Sequence, residues 1–168
     1  GLELLKKLLF QPTCTVAGFD AGYKGPGVKT VLPSRAFLKI DFRLVADQMP
    51  DDCAKKLKAH LKKEGFDDIE VRVIGTLEPS KTPVTAPIAK AVIGAVEQAW
   101  GAEAVVYPNT AGSGPGYLFT KRLGMQMAFT GCGHAFSNAH APNEFIPIDG
   151  FIKGIKASVA TMQNFSKY

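Results

Sequence analysis

Two loops carry side chains whose chemistry goes beyond packing. The first, residues 131–144, sets Cys132, His134, Ser137, Asn138, His140, Asn143 and Glu144 among glycines and alanines. A neutral imidazole is a good ligand for a divalent metal, and loops that follow a buried strand are where ligand sites sit in α/β sheets. His134 and His140 are therefore metal-ligand candidates; the alternative is that both are polar loop residues bonded to backbone. Cys132 admits a thiolate-ligand or nucleophile reading, but its flanking glycines and the apolar segment before it favour an inert, buried thiol. The second loop, residues 109–116, contains Gly112, Ser113, Gly114 and Gly116 and precedes a helix, where backbone N–H groups can hold an anion or a developing oxyanion. It lacks the Gly-Lys pair of a phosphate-binding loop, and Ser113 does not sit in a Gly-x-Ser-x-Gly elbow. Neither nucleotide binding nor a serine nucleophile is expected.

These loops need elements to position them. Residues 13–17 read as a strand, followed by a glycine-rich loop over 18–27. Residues 36–45 alternate, with Phe37, Lys39, Asp41 and Arg43 on one face and Leu38, Ile40, Phe42 and Leu44 on the other. Pro50 opens a helix at its favoured first-turn position, Asp51 and Asp52 complement the helix dipole, and Gly65 ends it. Cys53, Ala54, Leu57 and Leu61 form its inward stripe. Residues 69–74 alternate as a half-buried strand. The first half is thus an α+β unit, with antiparallel strands and at least one helix on a single face.

Pro79, Pro83 and Pro87 punctuate the stretch 75–87. Beyond it the pattern predicts a helix over 88–100 with Ala89, Val92, Ile93 and Val96 inward, strands over 104–107 and 125–129, a helix over 117–122, and a last helix from Asp149 to Phe165. That alternation is the signature of an α/β layer. Two strands are too few for an independent sheet, and residues 2–10 read as the tail of an element that begins upstream, so both halves read as parts of something larger.

Composition narrows the classes. Of 168 residues, 46% are hydrophobic and 21% charged, which fits a soluble globular chain with a core. No run approaches the apolar length needed to span a bilayer. The net charge of +5 and pI near 9.1 invite a nucleic-acid reading, but Lys55, Lys56, Lys58, Lys62 and Lys63 belong to one amphipathic helix and read as its solvated face. No aromatic-studded basic strand of the base-stacking kind is present. Three widely spaced cysteines, Cys14, Cys53 and Cys132, exclude a disulfide framework and a zinc finger, and point to a reducing, cytoplasmic setting.

Four segments taken in order carry a family resemblance: residues 25–33 (Gly-Pro-Gly-Val-Lys-Thr-Val-Leu-Pro), Asp41-Phe42-Arg43-Leu44-Val45, Gly112-Ser113-Gly114-Pro115 and His140-Ala141-Pro142-Asn143-Glu144. In this order and spacing they resemble the zinc aminoacylase and carboxypeptidase family, which includes acetylornithine deacetylase, succinyl-diaminopimelate desuccinylase, carnosine dipeptidases and glutamate carboxypeptidase. The resemblance implies a ferredoxin-like α+β dimerisation lid at residues 1–75 and the C-terminal portion of an α/β metallopeptidase domain at 76–168. It implies that His140 is the family's late metal ligand in a site for two divalent ions, zinc or alternatively cobalt or manganese, and leaves His134 without a counterpart.

By the same resemblance, Arg43 binds a substrate carboxylate, Thr30 reaches into the partner subunit's site, and Gly112 and Ser113 contact substrate. A cross-strand salt bridge for Arg43 and a simple turn role for Thr30 remain the alternatives. The implied substrate is a small peptide or N-acyl amino acid and the implied partner a second copy through the lid, with neither nucleic acid nor membrane. By the same resemblance, the family's remaining metal ligands, its catalytic glutamate and its lid histidine all precede the matched segments and do not occur in this sequence, so the chain is expected to be inactive alone. Asn138 stands where the deacylase branch often has arginine. A non-catalytic dimerisation or peptide-binding module of the same fold is the competing reading.

Overall fold

The computed structural model describes all 168 residues and is a mixed α/β structure that divides into two compact units. The first comprises Gly1–Pro79 and Asn109–Ser113; the second comprises Ser80–Pro108 and Gly114–Tyr168. No helix is long and apolar enough to cross a membrane.

In the first unit, helix α1 (Leu2–Phe10) leads into strand β1 (Thr13–Ala21), strand β2 (Ala36–Arg43) and helix α2 (Pro50–Lys63). β1 and β2 pair antiparallel from Thr13 opposite Arg43 to Ala21 opposite Ala36. Val16 faces Ile40 and Gly18 faces Lys39, so Ala17 is the extra residue of a β-bulge. This corrects the expectation of a loop from residue 18, because the ladder continues through the bulge to Ala21. In the loop that follows, the Tyr23 hydroxyl donates to the Pro26 carbonyl at 3.1 Å and the Lys29 ammonium lies 5.8 Å from the ring centroid. The Tyr23 ring occupies the space where a Cβ on Gly25 would stand, so a side chain there would displace the ring.

α2 begins with Pro50 in its first turn and closes in a Schellman motif. The Phe66 N–H reaches the Leu61 carbonyl at 2.8 Å, the Gly65 N–H reaches the Lys62 carbonyl at 3.2 Å, and Gly65 adopts φ 83°. Cys53, Ala54, Leu57 and Leu61 form the half-buried stripe of this helix, while all five of its lysines are exposed. The alternating face of β2 is far more open than a half-buried strand should be. Leu38 is 52% exposed and Phe42 40%, because two strands cannot cover their own apolar side chains.

Residues 69–74 join no ladder, contrary to the strand expected there. Glu70 and Arg72 still meet on one side of the segment, with Arg72 Nε donating to Glu70 Oε1 at 2.7 Å and Nη2 to Oε2 at 3.3 Å. That hydrogen bond and the neighbouring charge hold the Glu70 carboxyl below its usual range and raise the Arg72 guanidinium.

The second unit is organised by helices α3 (Pro87–Trp100) and α4 (Ile148–Phe165), which pack against each other. The deepest residues are small: Ala91 and Ala95 with Val92 on α3, and Ala157 and Ala160 on α4. Small side chains let the helix axes approach, and Asn164 Nδ2 then donates to the Ala91 carbonyl at 3.4 Å. Ala89, Ile93 and Val96, expected at the centre of this face, are only half-buried, since the alanines take the line of closest approach. Residues 104–107 and 125–129 form no ladder, a second departure from expectation. The Met127 N–H instead donates to Thr82 Oγ1 at 3.1 Å. Residues 118–122 form a π-helical turn, Leu118–Arg122, closed by the Leu123 N–H on the Leu118 carbonyl at 3.1 Å.

Gly154 of α4 faces Cys132. A Cβ built on Gly154 would stand 2.8 Å from Cys132 Cβ and 3.1 Å from its Sγ, so the half-buried thiol packs on the helix through the missing side chain. Two stability outcomes follow from these glycines. Gly65→Ala places a Cβ in the left-handed region and lowers stability by about 1 kcal/mol in urea unfolding, with Gly65→Asn costing less. Gly154→Ala lowers it by about 1–2 kcal/mol even after the gain that alanine brings to a helix interior, and adding Cys132→Gly recovers most of the loss.

Candidate functional site

Arg43 ends β2, one face of which carries Phe37, Lys39, Asp41 and Arg43 in alternation. The strand fixes the backbone of Asp41 and Arg43 through their pairing with Thr15 and Thr13. Arg43 Nε donates to Asp41 Oδ2 at 2.7 Å. Arg43 Nη1 donates to Ser113 Oγ at 2.9 Å, joining residues that lie 70 positions apart in the chain. Both side chains of the Arg43–Asp41 pair are about half exposed, so the guanidinium is held in place yet open to solvent.

The segment Asn109–Ser113 is shaped to make this contact. Asn109 Nδ2 donates to the Leu9 carbonyl at 2.6 Å, which satisfies one of the carbonyls left open at the end of α1. Asn109 Oδ1 accepts the Thr110 N–H at 3.0 Å, and Thr110 Oγ1 accepts the Gly112 N–H at 3.3 Å. Such short side-chain-to-backbone bonds fold the loop without a ladder. Ser113 accepts from Arg43, and a hydroxyl that accepts keeps its own proton to donate. Guanidinium and hydroxyl together make a polar cradle suited to a carboxylate.

Among the substrate-binding candidates, Arg43 and Ser113 therefore meet directly and Gly112 lies beside them. Thr30 is exposed in the loop between β1 and β2, downstream of the bracing pair Tyr23 and Lys29. Two participants were not singled out from the sequence. Asp41 announces itself only as the acid two residues before Arg43 on the same strand face. Asn109 carries no signal at all, since its partner is a backbone carbonyl 100 residues away.

His140 belongs to the second unit. It occupies the third position of a turn closed by the Ala141 N–H on the Asn138 carbonyl at 2.8 Å, with φ 64°. Asn138 and Asn143 share this left-handed backbone at φ 55° and 60°. The base of the loop is tied by Ser137, 6% exposed, whose Oγ accepts the His134 N–H at 3.1 Å and whose carbonyl accepts the Phe145 N–H at 3.0 Å. His134 turns its ring to its own loop: Nδ1 accepts the Phe136 N–H at 3.1 Å and the imidazole lies edge-on to Phe136. No three His, Cys, Asp or Glu side chains gather where a metal ion could be held.

Solved structures share this arrangement of elements. An M20 family metallo-carboxypeptidase from Sulfolobus solfataricus superposes over 99% of the chain with a TM-score of 0.89 and 41% identity, and the match covers 38% of that enzyme. The dipeptidase Dug1p of Saccharomyces cerevisiae and human carnosine dipeptidase 1 share the fold at TM-scores of 0.81 and 0.77, with 21% and 22% identity over 99% of the chain and 36% of each neighbour. In sequence, a Beta-Ala-His dipeptidase of Rattus norvegicus is 24% identical over 170 residues, 98% of this chain and 35% of that protein. The Mus musculus Beta-Ala-His dipeptidase is 32% identical over 82 residues, 46% of this chain and 17% of that protein. The chain thus spans about a third of the rat relative's length. With its residues 4–164 matched by the sequence pattern of peptidase family M20/M25/M40, the chain belongs to that family.

Proposed function

We propose that this chain forms the lid, residues 1–75, and the C-terminal part of the metal domain, residues 76–168, of a dinuclear metal-dependent amide hydrolase acting on dipeptides or N-acyl amino acids. The observation that carries the reading is the Arg43–Ser113 hydrogen bond, which unites a fork-shaped cation and a hydroxyl donor at an open surface. In this reading they take the substrate carboxylate, Gly112 lies against the substrate backbone, and Thr30 serves the site of a partner subunit. His140 supplies one ligand to a centre of two divalent ions, zinc or alternatively cobalt or manganese, that residues outside this chain complete. By itself the chain is inactive.

The surface supports an incomplete assembly. In the first unit the β1–β2 sheet exposes Val16, Phe19, Leu38 and Phe42; in the second, α4 exposes Phe151, Ile155 and Val159. Homodimerisation through the lid is part of the proposal, with sheet edges of two lids pairing.

Two variants of the longer protein test it. His140→Ala abolishes hydrolysis and lowers bound metal while the oligomeric state is unchanged; wild-type turnover in this variant sinks the metal-ligand role. Arg43→Ala raises KM by about 10- to 100-fold for substrates with a free carboxylate, the loss of one hydrogen bond to a charged group. An equal loss on amidated substrates rules out the carboxylate role.

A further inference from the structure

We infer that Asp41 is the positioning residue that aims Arg43, by occupying Nε alone and leaving Nη2, with one N–H of Nη1, to the ligand. The inference rests on the reading of Arg43 as the carboxylate-binding group and adds how that group is aimed. A guanidinium offers a carboxylate two edges, one formed by Nε and Nη2 and one by Nη1 and Nη2. Asp41 Oδ2 takes Nε at 2.7 Å, so the first edge is closed. Ser113 Oγ takes only one of the two N–H groups on Nη1. What remains is the second N–H of Nη1 and both of Nη2.

The same chain shows what a longer acid does in the same spacing. Glu70 precedes Arg72 by two residues, as Asp41 precedes Arg43. With one more methylene, Glu70 spans both Nε and Nη2 with its two oxygens. Glutamate thus consumes a nitrogen that aspartate leaves open. In these two pairs the longer acid takes both Nε and Nη2 and the shorter one Nε alone.

The test uses the longer protein with an unmodified dipeptide that it hydrolyses, taken from a panel, and the C-terminal amide of that dipeptide as substrate or competitive inhibitor. Asp41→Ala frees the guanidinium to turn and raises KM for the free dipeptide about tenfold, with kcat little changed. Asp41→Glu keeps the charge but captures Nη2, and raises KM to a similar extent. Asp41→Asn keeps an acceptor of the same length and stays within about threefold of wild type. None of the three changes the amide by more than about twofold, and none moves the melting temperature, because an exposed pair adds little stability. Asp41→Glu behaving as wild type, Asp41→Ala without effect, or equal losses on dipeptide and amide each overturn the inference. Arg43→Ala separates it from the reading beneath. If Arg43→Ala discriminates dipeptide from amide and the Asp41 variants do not, only the positioning role falls. If Arg43→Ala does not discriminate, or neither a dipeptide nor an N-acyl amino acid in the panel is hydrolysed, the carboxylate reading falls and this inference with it.

Discussion

Two side-chain hydrogen bonds hold the segment Asn109–Ser113 in its unit: Ser113 with Arg43, and Asn109 with the Leu9 carbonyl. The polar cradle depends on them, because neither β2 nor the loop can form it alone. A strand fixes where Arg43 starts but leaves a long, flexible side chain free to swing, and ordering such a chain costs conformational entropy. Acceptors from two directions, Asp41 within the strand and Ser113 from across the unit, offset that cost. Each bond is exposed and adds little to stability. Their value lies in orientation, which is what a charged recognition group needs before its ligand arrives.

The packing shows a complementary economy. Where elements of one unit meet closely, they do so through alanine and glycine: Ala91, Ala95 and Ala157 between α3 and α4, and Gly154 beneath Cys132. The large apolar side chains face outward in both units. Burial of apolar area is the main favourable term in folding, so faces of this size are built to be covered.

Much of the helical fold can be read directly from the sequence. Pro50 and Gly65 mark α2 because proline tolerates the first turn and glycine the left-handed cap, both local properties. The stripe of Cys53, Ala54, Leu57 and Leu61 follows from the helical period in the same way. Strands were harder, for a physical reason. Residues 69–74, 104–107 and 125–129 have strand-like composition, but a strand is defined by the neighbour that accepts its hydrogen bonds, and that neighbour is not encoded in the segment. β1 ran past its expected end because Gly18, which looked like a loop signal, pairs with Lys39 just beyond the bulge at Ala17. The family resemblance pointed to Arg43 and Ser113 in the first unit and to His140 in the second. That Ser113 should reach Arg43, or Asn109 the end of α1, is a long-range matter that no periodicity reveals.

The turn around His140 has a further consequence, for how the loop tolerates change. Asn138, His140 and Asn143 all adopt a left-handed backbone, and asparagine and histidine are among the few non-glycine residues that do so readily. The loop therefore filters replacements by backbone shape before any question of chemistry arises. Asparagine or glycine would pass at these positions, while valine or isoleucine would be rejected for sterics alone. Sequence drift here is channelled toward a handful of residues whether or not a ligand is ever bound. The residues that these three positions accept are thus limited by backbone shape as well as by chemistry.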